Sequence, residues 1–189
     1  MKAPIFALLA LGLAACGSTR IPGMDFANPE VVDPGDRMQC VPFAREESGI
    51  QIYGDAHLWW QKAAGKYDRG HQPEEGSVLV LYGYKRADRG HVAVVRRVIS
   101  DREIVVDHAN WLNDGQIYLD QPVKDVSPDN DWSAVKVWYE PGQQYGARTY
   151  AVQGLFCRTC TTRRRATKIS ALKHTRRGVF WPPSSHKII

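Results

Sequence analysis

Cys40 and His91 are two residues of the chain whose types suit nucleophilic catalysis. Cys40 precedes Pro42 in a run that ends at Gly49, a pattern typical of a short helix with the cysteine at its amino end. The unpaired N–H groups and the dipole at that end favour a thiolate, so the position predicts a lowered pKa for the Cys40 thiol. A thiolate attacks carbonyl carbon, and the imidazole of His91 can accept and return the proton.

The elements that must position these residues change from helical to extended along the chain. Helices are predicted over 39–48 and over 56–64, the second with Asp55 as its N-cap and Gly65 at its end. Five strands are predicted, at 77–82, 91–98, 103–107, 116–119 and 134–139, the first three as an antiparallel meander. Helices first and strands afterwards indicate an α+β domain.

The imidazole of a general base needs a partner on its second ring nitrogen, which holds its tautomer and orientation. Three polar candidates follow His91 on the next predicted strand, namely Asp107, His108 and Asn110. On a strand of period two, His108 and Asn110 share one face, and Asp107 joins them only if a bulge intervenes.

The order of these motifs resembles the CHAP family, the cysteine, histidine-dependent amidohydrolases and peptidases. The resemblance rests on Gln-Cys-Val-Pro-Phe-Ala-Arg from residue 39, Gly-His-Val-Ala-Val-Val from residue 90 and Asp-His-Ala-Asn-Trp from residue 107. It covers residues 38–112 well and residues 113–156 weakly. It implies a papain-like fold, with N-terminal helices packed on a small antiparallel sheet, and it implies Cys40 as nucleophile and His91 as base.

The resemblance also bears on the third catalytic residue. Members of the family commonly carry Glu or Asp two residues before the Asn of this motif, where the present chain has His108. Asn110 is therefore the first choice for orienting His91, followed by His108 and then Asp107.

As hydrogen-bond donors to the oxyanion, the resemblance implies the backbone N–H of Cys40 together with the side chain or backbone of Gln39.

Three tryptophans, Trp59, Trp60 and Trp111, lie close to these motifs in the sequence. Large aromatic residues at helix and strand positions are more often core than groove wall, so we expect a core role for them.

The amino terminus indicates export. Lys2 is the only charge of residues 1–15, and the apolar run that follows it is too short to span a bilayer as a helix. This run ends in Leu-Ala-Ala-Cys, which resembles a bacterial lipobox and implies acylation of Cys16; a plain signal cleaved after Ala15 is the alternative. Gly17 in place of Asp implies an outer-membrane lipoprotein that faces the periplasm, held by several acyl chains.

Length and charge favour one domain with two appendages. The predicted segments are a signal peptide at 1–15, a lipidated tether at 16–37, the catalytic domain at 38–156 and a basic tail at 157–189. Residues 1–154 carry 16 basic and 20 acidic residues, whereas the tail region after Gly154 carries nine basic and no acidic residues. The net charge of +5 thus belongs to the tail, and we expect no nucleic acid partner.

The family resemblance, together with the predicted compartment, implies hydrolysis of an amide bond in peptidoglycan, without a cofactor. The bond is either that of N-acetylmuramoyl-L-alanine or one within the peptide stem, and the loops at 66–76 and 112–133 are expected to shape specificity. One alternative is a non-catalytic envelope lipoprotein that binds peptidoglycan or a protein partner, suggested by the altered residue at His108.

A zinc-dependent amidase is the second alternative, although no metal-binding spacing supports it. Its ligands would come from this set: Cys40, His57, His71, His91 and either Asp107 or His108. Cys157 and Cys160 in the tail form a single pair, which favours a local disulfide over a zinc ribbon.

Overall fold

The structure is a computed structural model that describes residues 27–160. The predicted signal peptide, Cys16 and the tail after Cys160 lie outside the described residues. Within 27–160, the helices are α1 (Cys40–Ser48) and α2 (Trp59–Lys62), with 3₁₀ turns at Ala56–Leu58 and Glu140–Gly142. The strands there are β1 (Glu30–Val32), β2 (Asp68–Gly70), β3 (Val78–Gly83), β4 (Arg86–Ser100), β5 (Glu103–Ala109), β6 (Ile117–Asp125), β7 (Ala134–Tyr139), β8 (Gln144–Tyr145) and β9 (Tyr150–Cys157). Neither helix in this part of the chain is long and apolar enough to cross a membrane.

The strands form an antiparallel sheet that closes on itself. Strands β6, β5, β4 and β3 are neighbours in that order, as expected for a meander, and β9 continues the sheet beyond β3. Strand β7 pairs with both β9 and β6, so six strands complete a barrel-like sheet. The α+β class is confirmed, but the sheet is larger than predicted, because β1, β2, β8 and β9 add to the five predicted strands.

The apolar run of β3 is explained by two cores on its two faces. Leu79 and Leu81 pack inside the barrel, together with Ala93 of β4 and Ile104 of β5. The alternate positions of the same strands, such as Val78 and Val80, pack against the helices. Both faces of the strand are therefore buried, which is why the sequence shows a continuous apolar run instead of alternation.

The two helices cover one face of the barrel. Helix α1 ends as predicted at Gly49, whose φ of 67° is a left-handed conformation that glycine adopts without strain. The second predicted helix is shorter than expected, a 3₁₀ turn followed by α2, and Asp55 makes no side-chain cap. Trp59 of α2 is fully buried between helix and sheet, as predicted for a core residue.

Ordered structure extends beyond both boundaries predicted for the domain. Strand β1 pairs with β6 inside the segment predicted as a tether, because Val31 and Val32 can bury part of their side chains there. At the other end, Cys157 completes β9 opposite Asp68 of β2 and is disulfide-bonded to Cys160. The predicted loop at 66–76 contains β2, and the predicted loop at 112–133 contains all of β6.

Candidate active site

Cys40 is the first residue of α1 and the one free cysteine among residues 27–160. Gln39 is the N-cap, and its carbonyl accepts the first helical hydrogen bond, from the N–H of Phe43 at 3.2 Å. Helix α1 lies across β4, and the N–H of Val92 in that strand points to the Cys40 sulfur. The predicted helix thus sets Cys40 beside the strand that carries His91.

The thiol of Cys40 does not have the lowered pKa that its helical position predicts. Burial raises its pKa above the ordinary value of 9.0, while the N–H groups of Val92, Val41 and Cys40 itself lower it by a smaller amount. The predicted direction is therefore wrong. The helix terminus does favour the thiolate, but the loss of water around a sulfur packed against the core disfavours the thiolate more strongly.

His91 and His108 form a pair at one end of the barrel. Along β4 and β5 both residues share the face of the interior side chains Ala93 and Val106. Nε2 of His91 lies 2.9 Å from Nδ1 of His108, and the rings meet edge to face at 82°. Because Nε2 is occupied in this way, Nδ1 is the nitrogen of His91 that remains for the thiol of Cys40.

Both imidazoles of the pair are neutral at pH 7. Burial lowers the pKa of His91 to about 3. Burial and the adjacent His91 ring lower the pKa of His108 well below its ordinary value. The site therefore rests as a neutral thiol beside a neutral imidazole, and the proton must move to His91 as the sulfur attacks.

Asn110 does not take the position predicted for it. It follows the last residue of β5 with φ of 59°, so the alternation of the strand ends before it reaches Asn110. Its Nδ2 donates to Oε1 of Gln39 at 2.8 Å, and its Oδ1 accepts from the N–H of Gly115 at 2.9 Å. Both polar groups are committed away from His91, which corrects the ranking of Asn110 before His108.

Asp107 lies on the face of β5 opposite to His108 and holds structure there. Its carboxylate pairs with Arg96, which also binds Glu47 of α1 at 2.6 Å. It also accepts from the N–H of Asp120 at 2.7 Å, where β6 has a bulge and Asp120 has φ of 59°. A bulge is thus present, but it lies in β6 and leaves Asp107 on the helix side of the sheet.

Cys40, His91 and Gln39 line an open groove with a volume of about 1040 Å³. The indole of Trp111 stands in this groove, 4.8 Å from the His91 ring. Trp111 also packs against the core inside the barrel, as Trp60 packs against the core between helices and sheet, so of the three tryptophans Trp111 combines the predicted core role with a place in the groove lining.

A row of aromatic rings continues from Trp111 along the groove. The rings of Trp111 and Tyr150 are 5.1 Å apart, and those of Tyr150 and Tyr84 are 5.8 Å apart. The guanidinium of Arg148 lies 4.9 Å above the Tyr84 ring. Arg89 also lines the groove, as do the two acidic residues Asp55 and Asp88, of which Asp88 is paired with Arg86.

His57, considered from the sequence only as a zinc ligand, and Gly90, noted there only within the Gly-His motif, both line the groove. Nδ1 of His57 is buried without a hydrogen-bond partner among residues 27–160. Gly90 lies under the 3₁₀ turn that carries His57, where a Cβ would come within 2.7 Å of the His57 nitrogen. Gly90 was visible in the Gly-His motif, but its role depends on a contact between segments far apart in the chain.

The described part of the chain contains no set of side chains that could bind zinc as the second alternative requires. No three His, Cys, Asp or Glu side chains within residues 27–160 come together as metal ligands would. His71 packs against Trp60, with ring centroids 5.9 Å apart, and does not line the groove.

Comparison with known protein families agrees with this geometry. Residues 32–110, which run from the end of β1 through Asn110, match the CHAP domain. No curated protein sequence and no solved structure matches the chain. The match includes Cys40, His91 and the strand that carries His108.

Proposed function

Because residues 32–110 match the CHAP domain, we propose that the chain is a cysteine, histidine-dependent amidohydrolase that hydrolyses an amide bond of peptidoglycan through a thioester on Cys40. The observation that carries the proposal is the meeting of Cys40 and His91 in one groove, with His108 behind the imidazole. His108 takes the role of the orienting residue, and Asp107 is assigned to the scaffold.

Acylation begins with transfer of the thiol proton from Cys40 to Nδ1 of His91 as the sulfur attacks the carbonyl carbon. The carbonyl oxygen gains the negative charge, and the backbone N–H of Cys40 with the side chain of Gln39 donates to it. His91 then gives the proton to the leaving nitrogen. The C–N bond breaks, an amine departs and a thioester remains on the sulfur.

Deacylation uses the same groups in reverse. His91 takes a proton from water, the hydroxide attacks the thioester carbon and the C–S bond breaks. The proton returns to the Cys40 sulfur, and the second product leaves as a carboxylic acid. Through both steps His108 keeps Nε2 of His91 in a hydrogen bond, which holds the ring orientation.

The groove supports peptidoglycan as substrate, the substrate class that the CHAP domain implies. Neighbouring aromatic side chains such as Trp111, Tyr150 and Tyr84 suit flat or ring-shaped groups. The guanidinium of Arg148 at the end of this row suits the carboxylates of a peptide stem. Of the two candidate bonds, N-acetylmuramoyl-L-alanine lies on the sugar side of the stem, whereas a bond within the stem lies among its carboxylates.

We also propose that lipid on Cys16 attaches the protein to the outer membrane, facing the periplasm. The lipobox sequence is the main support for this attachment. The disulfide between Cys157 and Cys160 is a second support, because such bonds persist mainly in oxidising compartments. Radiolabelled palmitate incorporated into the wild-type chain but not into Cys16→Ala would support the anchor.

The activity is tested by incubating the purified protein with isolated peptidoglycan and identifying released fragments by mass spectrometry. Fragments from the wild type but not from Cys40→Ala would support the thioester mechanism, and their new ends identify the bond cut. His71→Ala is the control for a histidine outside the groove and should cleave as the wild type does.

The non-catalytic alternative makes a different prediction for the same proteins. A binding protein would sediment with peptidoglycan equally well as wild type and as Cys40→Ala, and it would release no fragments. That result, from a wild type whose Cys40 reacts no faster than a free thiol, would contradict the proposed hydrolase.

A further inference from the structure

Three amide groups form a hydrogen-bonded series that ends beside Cys40. The N–H of Gly115 can only donate, so the Asn110 atom that faces it must be Oδ1. The other side-chain atom, Nδ2, then faces Gln39 and donates to Oε1 at 2.8 Å. The polarity of the series is therefore set by a backbone N–H, and it leaves Nε2 of Gln39 as the free end.

The Asn110 end of the series is held firmly. The backbone N–H of Asn110 donates to the carbonyl of Gln116 at 2.8 Å, and asparagine tolerates its φ of 59° better than most residues. The loop also binds the segment before the nucleophile, since the N–H of Met38 donates to the carbonyl of Gly115 at 2.9 Å. The guanidinium of Arg37 also donates to the loop, to the carbonyl of Asn113 at 2.8 Å.

We propose that Asn110 is a positioning residue for the oxyanion site, acting through Gln39 and not through His91. By occupying Oε1, it leaves the two N–H groups of Gln39 Nε2 for the negative oxygen of the tetrahedral intermediate. Amide groups in series polarise one another, so the bond from Gly115 also strengthens the donation at the far end. The inference rests on the proposed function, since it assigns a role in the same acyl transfer.

Two reactions of Cys40 separate this role from a merely structural one. Alkylation by iodoacetamide is a displacement at a saturated carbon, and no oxyanion forms in it. Acylation by p-nitrophenyl acetate passes through a tetrahedral oxyanion before p-nitrophenolate leaves. Replacing a residue that helps to stabilise the oxyanion lowers the rate of acylation only. Replacing a residue that supports the thiol, the imidazole or the fold lowers the rates of both reactions.

The decisive variant is Asn110→Asp. Its carboxylate still accepts from the N–H of Gly115 but cannot donate to Oε1, so the Gln39 amide turns and gives its N–H groups to Asp instead. Removing one oxyanion donor typically costs about 10² to 10³ in kcat, and we expect a loss of that size in acylation with KM little changed. Alkylation should stay within about twofold of the wild-type rate, because the thiol and His91 are untouched.

In Gln39→Ala the kcat for acylation should fall by the same factor. The double variant of Asn110→Asp with Gln39→Ala should show no larger fall in kcat than either single variant. Gln61→Glu is the control for an amide replaced by a carboxylate, since this exposed α2 side chain lies outside the groove. It should acylate at the wild-type rate.

The inference is overturned if Asn110→Asp acylates as the wild type does, or if alkylation falls as much as acylation. It is equally overturned if the wild type is alkylated but never acylated by the ester. Failure of the proposed function gives a different pattern, in which the ester acylates wild-type Cys40 and distinguishes the variants as expected, while peptidoglycan is not cut.

Discussion

Nε2 of His91 is hydrogen-bonded to Nδ1 of His108, a neutral ring, at 2.9 Å. A carboxylate in the position of His108 would stabilise the imidazolium of His91, whereas a second imidazole cannot carry a proton at the same time without strong repulsion. His108 therefore orients the His91 ring but provides no negative charge to stabilise the imidazolium of His91. Its consequences for thiol reactivity and for acid stability can be measured.

Replacing His108 by a carboxylate should make Cys40 more reactive at low pH. In His108→Glu the negative charge favours the protonated His91, which in turn favours the thiolate of Cys40. An opposite charge at this range shifts a pKa by about 1 to 3 units, so alkylation at pH 6 should rise at least about tenfold. His71→Glu, outside the groove, should leave the rate unchanged, and an unchanged rate in folded His108→Glu would contradict the assignment.

The wild-type thiol should titrate without a plateau at neutral pH. Burial raises the pKa of Cys40 above 9.0 and lowers that of His91 to about 3, so no thiolate–imidazolium pair forms between these values. The iodoacetamide rate should therefore climb about tenfold per pH unit from pH 6 to 9, following the thiolate fraction. An iodoacetamide rate that stays constant from pH 6 to 9 would show a thiolate–imidazolium pair and would contradict a neutral Cys40 and His91.

Acid should destabilise the fold through His108, whose side chain is 1% exposed. Its pKa is lowered in the folded state, so below about pH 6.5 the unfolded chain binds a proton that the folded protein does not bind. The free energy of unfolding should then fall by about 1.4 kcal/mol per pH unit from this residue. Urea unfolding at several pH values should show this slope reduced in His108→Asn but not in His71→Asn.

Gly90→Ala should be destabilising because the added Cβ has no room. It would lie 2.7 Å from the nitrogen and 2.8 Å from the Cα of His57, both backbone atoms. Overpacking of this kind costs about 1 to 3 kcal/mol, and the displaced turn should also slow acylation of Cys40. Gly70→Ala is the matched control, since nothing lies within 4 Å of its Cβ. Equal unfolding midpoints for the two variants would refute the contact.

Asp107→Asn should affect stability and spare the chemistry of Cys40. It removes the charge that binds Arg96 and weakens the acceptor of the Asp120 N–H, at a cost of about 2 kcal/mol. Alkylation of the folded variant should match the wild type. Asp88→Asn, which alters an exposed ion pair, is the control and should unfold at the wild-type temperature. A loss of thiol reactivity in Asp107→Asn would contradict the assignment of Asp107 to the scaffold.

Much of the fold could be predicted from local pattern. Gly49 marks the end of α1, and the apolar runs of β3, β4 and β5 mark a meander, because these signals depend on near neighbours. Closure of the sheet through β7 and β9 could not be predicted, since it depends on pairing between distant strands. Gly154, with φ of 148°, also interrupts the pattern of β9.

For the site, the sequence by itself indicated Cys40 and His91 as candidate nucleophile and base, because the chemistry of both residues lies in their residue types and motifs. Only the tertiary structure decided that His108 stands behind His91 and that Asn110 binds Gln39, because a left-handed residue at the end of β5 redirects the side chain. It also decided that the thiol and the imidazole rest neutral. Protonation depends on how much water the fold removes from each group, and that is a property of packing among residues distant in the chain.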